Sequence, residues 1–212
     1  MEMKKFTFNP FSENTYVLWV STGEGVIVDP GNFDRHESGE IIRFVEENGI
    51  RIQEIILTHA HIDHIFGCAE LCAHFGVGIR MHKADLFFLD RAEETGMMYG
   101  FPVKRPPAPT AWFSDGDIYN LGAEQLLVRH TPGHSPGSVS FIDEKGSRII
   151  SGDVLFKRSI GRTDLPMGDM TVLLRSIREV IFAYDDAFEI HSGHGPVTTI
   201  GEEKAENPFL KA

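Results

Sequence analysis

The feature that most constrains the structure of this chain is a run of histidine and aspartate residues directly after an apolar strand. Residues 52–57 are predicted to form a buried strand, and the next residues read Thr58-His59-Ala60-His61-Ile62-Asp63-His64. His59 and His61 are two positions apart, so at an extended strand end their side chains point the same way. Asp63 and His64 follow the turn and can point elsewhere. One short loop of this kind can therefore serve two metal ions.

Three further segments place His or Asp at the end of a predicted strand. They are Gly133-His134-Ser135-Pro136-Gly137-Ser138, Gly152-Asp153 and Gly193-His194-Gly195-Pro196. Loops after strands present functional side chains on a rigid scaffold, and adjacent glycines allow sharp turns. Imidazoles and carboxylates are ligands that suit Zn, Fe and Mn. The clustered residues therefore predict metal binding, whereas the isolated His36, His74 and His82 are interpreted as ordinary polar residues.

Strand and helix signals alternate along the chain. Strands are predicted at 5–8, 15–20, 25–28, 52–57, 77–81, 126–129, 139–142, 148–151 and 188–191, and helices around 41–45 and at 65–75, 83–91, 171–183 and 198–210. No low-complexity tract or change of composition marks a linker. The pattern predicts one α/β domain over residues 1–212, with sheets inside and helices outside.

The net charge and the cysteine content limit the partners and the location that we expect for this protein. With 20 basic and 31 acidic side chains the net charge is -11, which argues against nucleic acid as a partner and against anionic membranes. The start of the chain lacks the apolar segment of a signal peptide, and no apolar stretch is long enough to span a membrane. Cys68 and Cys72, four apart in a helical pattern, are expected to be buried thiols. A cytoplasmic location is the expectation.

The run His59-x-His61-x-Asp63-His64 resembles the signature of the metallo-β-lactamase superfamily. Other motifs follow in the family's order, namely Asn14-Thr15-Tyr16, Asp29-Pro30-Gly31, residues 131–138, residues 151–156 and residues 193–196. The resemblance covers nearly the whole chain. It implies a four-layer αββα sandwich, with metals at one edge of two packed sheets.

The resemblance also implies a role for each motif residue. One metal would be held by His59, His61 and His134, the second by Asp63, His64 and His194, and Asp153 would bridge the two. Asp29 matches a position that braces the histidine loop by hydrogen bonding. A simple turn residue before Pro30 is the alternative interpretation of Asp29.

Asp153 and the runs at 152–156 and 161–166 resemble the short, single-domain branch of glyoxalase-II-like proteins, which are hydroxyacylglutathione hydrolases. Full glyoxalase II carries a C-terminal helical domain, whereas 18 residues follow His194 here (212 minus 194). Arg162 aligns with a basic glutathione-binding position, but Asp164 stands where the family has a tyrosine. Arg162 either binds the substrate or pairs with Asp164.

The resemblance thus implies a binuclear metallohydrolase that cleaves a thioester such as S-lactoylglutathione or a related small-molecule acyl-thiol. Two divalent cations, zinc first and iron or manganese as alternatives, lower the pKa of a shared water from about 16 toward 7. Metal-bound hydroxide attacks the thioester carbonyl, and the thiolate leaves. Asp63 and Asp153 are the carboxylates assigned to catalysis. No Ser or Cys nucleophile is required, so Ser135 is interpreted as a turn residue.

Other interpretations stay open at this point. A persulfide dioxygenase on the same scaffold would hold one iron with His59, His134 and Asp153. A lactonase, a phosphodiesterase or a non-enzymatic interaction module of the same fold are further alternatives. Residues 86–113 are rich in Met and aromatic residues, which suits either a lid or acyl pocket over the metals or plain packing on the sheet. The sequence does not predict the oligomeric state.

Overall fold

Two six-stranded sheets form the middle of the molecule, and the computed structural model describes residues 1–211. The first sheet contains, in order, β1 (Glu2–Phe8), β2 (Glu13–Trp19), β3 (Glu24–Val28), β4 (Arg51–Ile56), β5 (Ile79–His82) and β6 (Ala111–Phe113). Strands β1 to β3 are antiparallel, and β3 to β6 are parallel. The helices that connect the parallel strands are α1 (Arg35–Glu47), α2 (Cys68–Phe75), α3 (Leu86–Asp90) and α4 (Ala92–Tyr99).

The second sheet is built mainly from the C-terminal half of the chain. Its strands are β7 (Ile118–Leu121), β8 (Glu124–His130), β9 (Val139–Asp143), β10 (Arg148–Gly152), β13 (Glu189–Ser192) and β14 (Thr198–Thr199). Only the β10–β13 pair is parallel. A small hairpin of β11 (Leu155–Phe156) and β12 (Ser159–Ile160) follows β10, and two helices complete the chain, α5 (Met170–Glu179) and α6 (Ile200–Glu206).

Neighbouring residues of the first sheet point into different layers, as the two-residue period of a strand requires. Val17 of β2 belongs to the core cluster that contains Ile41 and Val45 of α1. Tyr16 and Leu18, on either side of it, belong to the cluster between the two sheets. The first sheet is therefore covered by helices on one face and by the second sheet on the other.

The second sheet repeats this arrangement. Phe141 of β9 joins the cluster between the sheets, and the adjacent Ile142 packs in the outer cluster with Leu173 and Ile177 of α5. The layers therefore run helices, sheet, sheet, helices, which confirms the predicted α/β class and the αββα order.

The helix boundaries differ from the prediction where local hydrogen bonds compete with the helical pattern. The helix predicted over 65–75 begins only at Cys68, after a 3₁₀ turn at Ile62–His64. The terminal helix is shorter than 198–210, because Thr198–Thr199 pair with β13. Helix α4 was not predicted, since it contains Gly96, a poor helix former. A side chain at Gly96 would collide with Val103 and with the carbonyl of Phe101.

Five strands end at the same edge of the sandwich, and each is followed by residues that the sequence motifs predict to belong to the site. Asp29 follows β3 and His59 follows β4, which is parallel to β3. The loop 131–138 follows β8, Asp153 follows β10 and Gly193-His194 follows β13. Because β8, β10 and β13 run in one direction, their loops meet at this edge.

Two simpler expectations concern the cysteines and the membrane. Cys68 and Cys72 are both buried in α2 and form no disulfide, as expected. Within residues 1–211, none of the helices has both the length and the apolar character that crossing a bilayer demands.

Candidate metal centre

Three imidazoles converge at the edge where β4 and β8 end. One nitrogen from each of His59, His61 and His134 lies within 4.8 Å of the others, and we call these residues the three-histidine group. His61 Nδ1 is 2.8 Å from His134 Nε2, and the rings of His59 and His134 are 4.8 Å apart between centroids. Imidazole nitrogens that converge in this way are suited to ligate one cation.

A second set of ligand atoms lies beside the first. Asp63, His64 and His194 also meet within 4.8 Å, and we call them the aspartate group. His194 Nε2 is 3.2 Å from Asp63 Oδ2, and His64 Nε2 is 3.8 Å from the same oxygen. Carboxylate and imidazole together are again ligands that suit a divalent cation.

Asp153 lies between the two groups. Its Oδ1 is 3.4 Å from His64 Nε2, and its Oδ2 is 3.5 Å from both His134 Nε2 and His194 Nε2. One carboxylate therefore faces both groups, at the position where the resemblance implies a bridging ligand.

Four histidines are oriented by hydrogen bonds on the side away from the centre. Each Nδ1–H group donates to an oxygen outside the two groups, which leaves Nε2 facing inward, the arrangement typical of metal-ligating histidines. The acceptors are Thr58 Oγ1 for His59 (3.1 Å), Asp29 Oδ2 for His64 (3.1 Å), the carbonyl of Arg162 for His134 (2.7 Å) and the carbonyl of Phe11 for His194 (3.0 Å).

Asp29 connects β3 to this hydrogen-bond system. Its Oδ1 accepts from the Thr58 amide at 2.7 Å, and its Oδ2 accepts from the Thr58 hydroxyl and from His64 Nδ1. Asp29 also lies within 4.8 Å of His59 and His64 ligand atoms, but both its oxygens are already engaged, so its geometry is that of a brace. Its φ of 49° shows that it is a turn residue as well, so the two interpretations of Asp29 are compatible.

Several buried polar atoms at the centre have no hydrogen-bond partner within residues 1–211. They are Nε2 of His59, His61 and His64, and Oδ1 of Asp153. Buried polar groups nearly always have a partner, so the unpartnered Nε2 atoms of His59 and His64 and Oδ1 of Asp153 fit bound cations. His61 instead turns Nδ1, not its unpartnered Nε2, toward His134. The close approach also depends on Gly193, where any side chain would collide with Asp153 and with the ring of His64.

The two groups differ in charge. Burial and the neighbouring imidazoles lower the pKa of His59 well below its usual value, and burial lowers that of His61 to about 3. Burial also opposes the charged form of His64, but the carboxylates of Asp153 and Asp63 outweigh it and raise the pKa of His64 well above the usual value. The same balance raises the pKa of His194 through Asp63 and Asp153. His59 and His61 are thus neutral, whereas His64 and His194 are protonated imidazoles paired with carboxylates.

The structure adds Asp85, which the sequence analysis did not single out. This buried carboxylate accepts from the Ala60 amide (3.0 Å), the Ser135 hydroxyl (2.7 Å) and the Gly137 amide (2.6 Å). It therefore ties the loop of His59 and His61 to the loop of His134. These partners are 25, 50 and 52 positions away, so no local pattern signals the role.

Glu13 is a second residue that the sequence analysis missed. It is fully buried at the start of β2, its Oε2 accepts from the Thr15 hydroxyl at 2.9 Å, and its Oε1 lies 3.7 Å from His64 Nδ1. Burial raises the pKa of Glu13 well above its usual value. The only sequence signal was its position beside the motif Asn14-Thr15-Tyr16.

The remaining residues singled out in the sequence take other positions. The Arg162 guanidinium donates from Nε and Nη2 to the two oxygens of Asp164, at 2.7 and 2.6 Å. The ring of His82, interpreted from the sequence as an ordinary polar residue, stacks on that of His130. Ser135 is buried and donates to Asp85, in agreement with a structural rather than a nucleophilic role.

Comparisons with known proteins agree with this architecture. The sequence profile described as the metallo-beta-lactamase superfamily matches residues 8–196. Hydroxyacylglutathione hydrolase GloC of Haemophilus influenzae is 35% identical over 100% of this chain and 99% of its own length.

Two solved structures have the same fold along their whole length. BLEG-1 B3 metallo-beta-lactamase superposes with a TM-score of 0.91 at 37% identity and covers 100% of both chains. TTHA1623 in a di-iron-bound form gives a TM-score of 0.88 at 35% identity, over 98% of this chain and 100% of its own. With this fold, these relatives and this set of converging His and Asp side chains, the chain belongs to the metallo-beta-lactamase superfamily and is a metallo-hydrolase with a candidate metal site.

Proposed function

We propose that residues 1–212 form a single binuclear metallohydrolase domain that cleaves a thioester, such as S-lactoylglutathione or a related small acyl-thiol. The observation that carries the proposal is the position of Asp153, whose two oxygens face His64 on one side and His134 and His194 on the other. A bridged pair of cations requires one carboxylate in this position. The similarity to GloC, which is named a hydroxyacylglutathione hydrolase, supports the thioester substrate.

The residues present fit two divalent cations. In this proposal His59, His61 and His134 would hold one and Asp63, His64 and His194 would hold the other, with Asp153 between the two groups as the shared ligand. When bound, the cations lower the pKa of water toward neutrality and polarise the carbonyl of the substrate. Zinc is the proposed metal, with iron or manganese as alternatives, since the ligand set accepts all three and TTHA1623 is described as di-iron-bound.

The protein's own contribution is to hold the ligands and to handle protons. Interaction with His64 lowers the pKa of Asp153 well below its usual value, and with help from His194 it lowers that of Asp63, although burial opposes both shifts. Both carboxylates are therefore ionised at neutral pH. Asp63 is partly exposed to solvent, so in the proposed mechanism it accepts a proton from the attacking water.

A β-lactam is the second candidate substrate, because BLEG-1 is described as a B3 metallo-beta-lactamase. Hydrolysis of a β-lactam amide uses the same polarised carbonyl and the same water. The third possibility, one iron held by His59, His134 and Asp153, would leave the buried His64 Nε2 without a partner. This unpartnered atom therefore favours two cations over one.

The test combines metal quantification with assays of the competing reactions. Protein purified without added metal is analysed for metal, reconstituted, and assayed with S-lactoylglutathione, with a chromogenic β-lactam and for oxygen uptake with a persulfide. We expect two metals per chain, thioester cleavage and its loss in His59→Ala. His36→Ala, an exposed histidine outside the centre, should behave as the parent. One iron with oxygen uptake, or thioester activity retained in His59→Ala, would contradict the proposal.

A further inference from the structure

A cavity of about 600 Å³ opens directly onto the candidate metal centre. Its floor includes His61, His134, Asp153 and His194. Its walls are largely aromatic and aliphatic, and they include Phe11, Phe87, Phe88, Tyr99, Phe156 and Leu165. Cavities that bury small-molecule ligands commonly have volumes of about 300 to 1,000 Å³. This one is therefore large enough to hold a substantial part of a substrate beside the reacting atoms.

The apolar walls reach the candidate ligands themselves. The ring of Phe88 in α3 meets the edge of His61 at 4.8 Å between centroids, and Phe156 in β11 meets His194 at 6.1 Å. A carbonyl carbon at the metal centre thus has aromatic rings on both sides. The group attached to that carbon enters a space where apolar atoms gain by leaving water.

The basic side chains on the cavity wall, apart from the histidines, already have partners. Arg162 forms two hydrogen bonds to Asp164, which hold the pKa of Asp164 at about 2. Arg91 lies 4.5 Å from the ring centroid of Phe87 and 3.9 Å from the Glu94 carboxylate. A glutathione moiety carries two carboxylates, and each would compete with the carboxylate of Asp164 or Glu94 for one of these arginines.

We propose that the cavity is an acyl-chain site, and that the protein prefers thioesters of medium-length apolar acyl groups to short polar acyl groups carried on glutathione. The inference rests on the proposed thioester hydrolysis and names its substrate class. In the reaction, water supplies a hydroxyl to the acyl carbon, the carbon–sulfur bond breaks with its electron pair going to sulfur, and the remaining proton is taken up by the thiolate or the solvent. No further reactant is needed.

The main experiment varies the acyl chain at constant thiol. Acetyl, butanoyl, hexanoyl and octanoyl thioesters of N-acetylcysteamine are compared with S-lactoylglutathione, using the metal-loaded protein. We expect kcat/KM to rise by about two- to fourfold for each added methylene, because a buried methylene gains that much on leaving water. A profile that is flat or falls with chain length, or a kcat/KM for S-lactoylglutathione above that of the octanoyl thioester, overturns the inference and leaves thioester hydrolysis standing.

A matched pair of variants locates the chain-length preference. Phe87→Ala removes a partly exposed ring from the cavity wall, and Phe209→Ala removes a ring of similar exposure (41% and 49%) that does not line the cavity. We expect the chain-length dependence to flatten in Phe87→Ala and to stay as in the parent in Phe209→Ala, with unchanged metal content in both. An unaltered dependence in Phe87→Ala contradicts the assignment of this wall.

A binding measurement separates the cavity from the chemistry. S-butyl and S-octyl N-acetylcysteamine are thioethers that cannot be hydrolysed, and their affinities are measured by calorimetry. Tighter binding of the octyl compound, by about tenfold or more, supports the acyl-chain site. Equal affinities overturn it. If the metal-loaded protein cleaves no thioester at all, the proposed function fails, and the thioether affinities alone decide whether the cavity binds apolar chains.

Discussion

The three-histidine group and the aspartate group lie on either side of Asp153, yet different neighbours hold them. The loops of the three-histidine group are tied together through their main chain, because Asp85 accepts from the amides of Ala60 and Gly137. In the aspartate group a ligand itself is held, since Asp29 accepts directly from His64 Nδ1. A neighbouring carboxylate thus joins the loops of one group through backbone amides, whereas in the other group it binds a ligand directly.

The two groups also differ in the charge of their histidines. Burial lowers the pKa values of His59 and His61, so these imidazoles are neutral before a cation arrives. Carboxylates raise the pKa values of His64 and His194 against the effect of burial. His59 and His61 are therefore ready to bind a cation, whereas His64 and His194 must first release protons.

The largest effect is expected from Asp153→Ala, because the two oxygens of this carboxylate lie between the two groups and face histidines of both. Loss of groups that merely support metal ligands costs about 10- to 100-fold, so loss of a shared ligand should lower kcat/KM by more than about 100-fold and reduce the metal content of both groups. Metal analysis and thioester kinetics measure the two effects. Asp186→Ala, an exposed aspartate paired with Lys204, serves as the control. Full metal content with parental activity in Asp153→Ala would show that the groups do not depend on a common carboxylate.

The residues of the centre differ in how far the sequence predicts them. His59, His61, Asp63 and His64 follow one buried strand, so their common edge is a local consequence of the strand end. His134, Asp153 and His194 lie on three other strands, and parallel strand directions bring them to that edge. Which ligand faces which group came from the family resemblance, since spacing alone does not define it.

Asp85 and Glu13 show why other residues of the centre could not be predicted from the sequence. The partners of Asp85 lie in two other loops, and Glu13 faces His64 across the packed strand ends. Such contacts exist only after the sheets have assembled. The α/β class, with sheets inside and helices outside, was predictable for the opposite reason, because strand and helix periods are local features of the sequence. The four-layer order came from the family resemblance, and α4 was missed because Gly96 weakens its local signal.

The next largest effect is expected from replacing Asp85 or Asp29, the two carboxylates that support the metal ligands. Asp85→Ala should weaken cation binding by the three-histidine group, and Asp29→Ala should weaken binding mainly by the aspartate group, each by about 10- to 100-fold. Asp29 accepts from His64 itself but reaches His59 only through Thr58. Stepwise competition with a chelator of known affinity measures the two sites in one titration. If both variants weaken the same binding step, the two groups share their support and the comparison fails. Thermal unfolding of each metal-free variant controls for a general loss of stability.

A smaller effect, the release of protons on cation binding, tests the difference in charge between the two groups. In metal-free protein at mildly acidic pH, His64 and His194 carry protons, because their pKa values are raised, whereas His59 and His61 do not. Cation binding to the aspartate group should therefore release about one to two protons, and binding to the three-histidine group none from His59 and His61. The release should decline as the pH rises through the raised pKa values. Calorimetry in buffers of different ionisation enthalpy counts the protons, and His194→Ala should lower the number by about one.

The smallest effect is expected from Arg162→Ala, which separates the main chain of this residue from its side chain. The carbonyl of Arg162 accepts from His134 Nδ1 and so orients a member of the three-histidine group, and alanine keeps that carbonyl. The guanidinium is exposed and paired with Asp164, and exposed ion pairs contribute little. We therefore expect unchanged metal content and at most about a fivefold change in kcat/KM with N-acetylcysteamine thioesters. A loss of metal from the three-histidine group would mean that the Asp164 pair fixes the position of this carbonyl. In that case a carboxylate side chain outside the centre would help to position His134, as the Asp29 carboxylate does for His64 in the aspartate group.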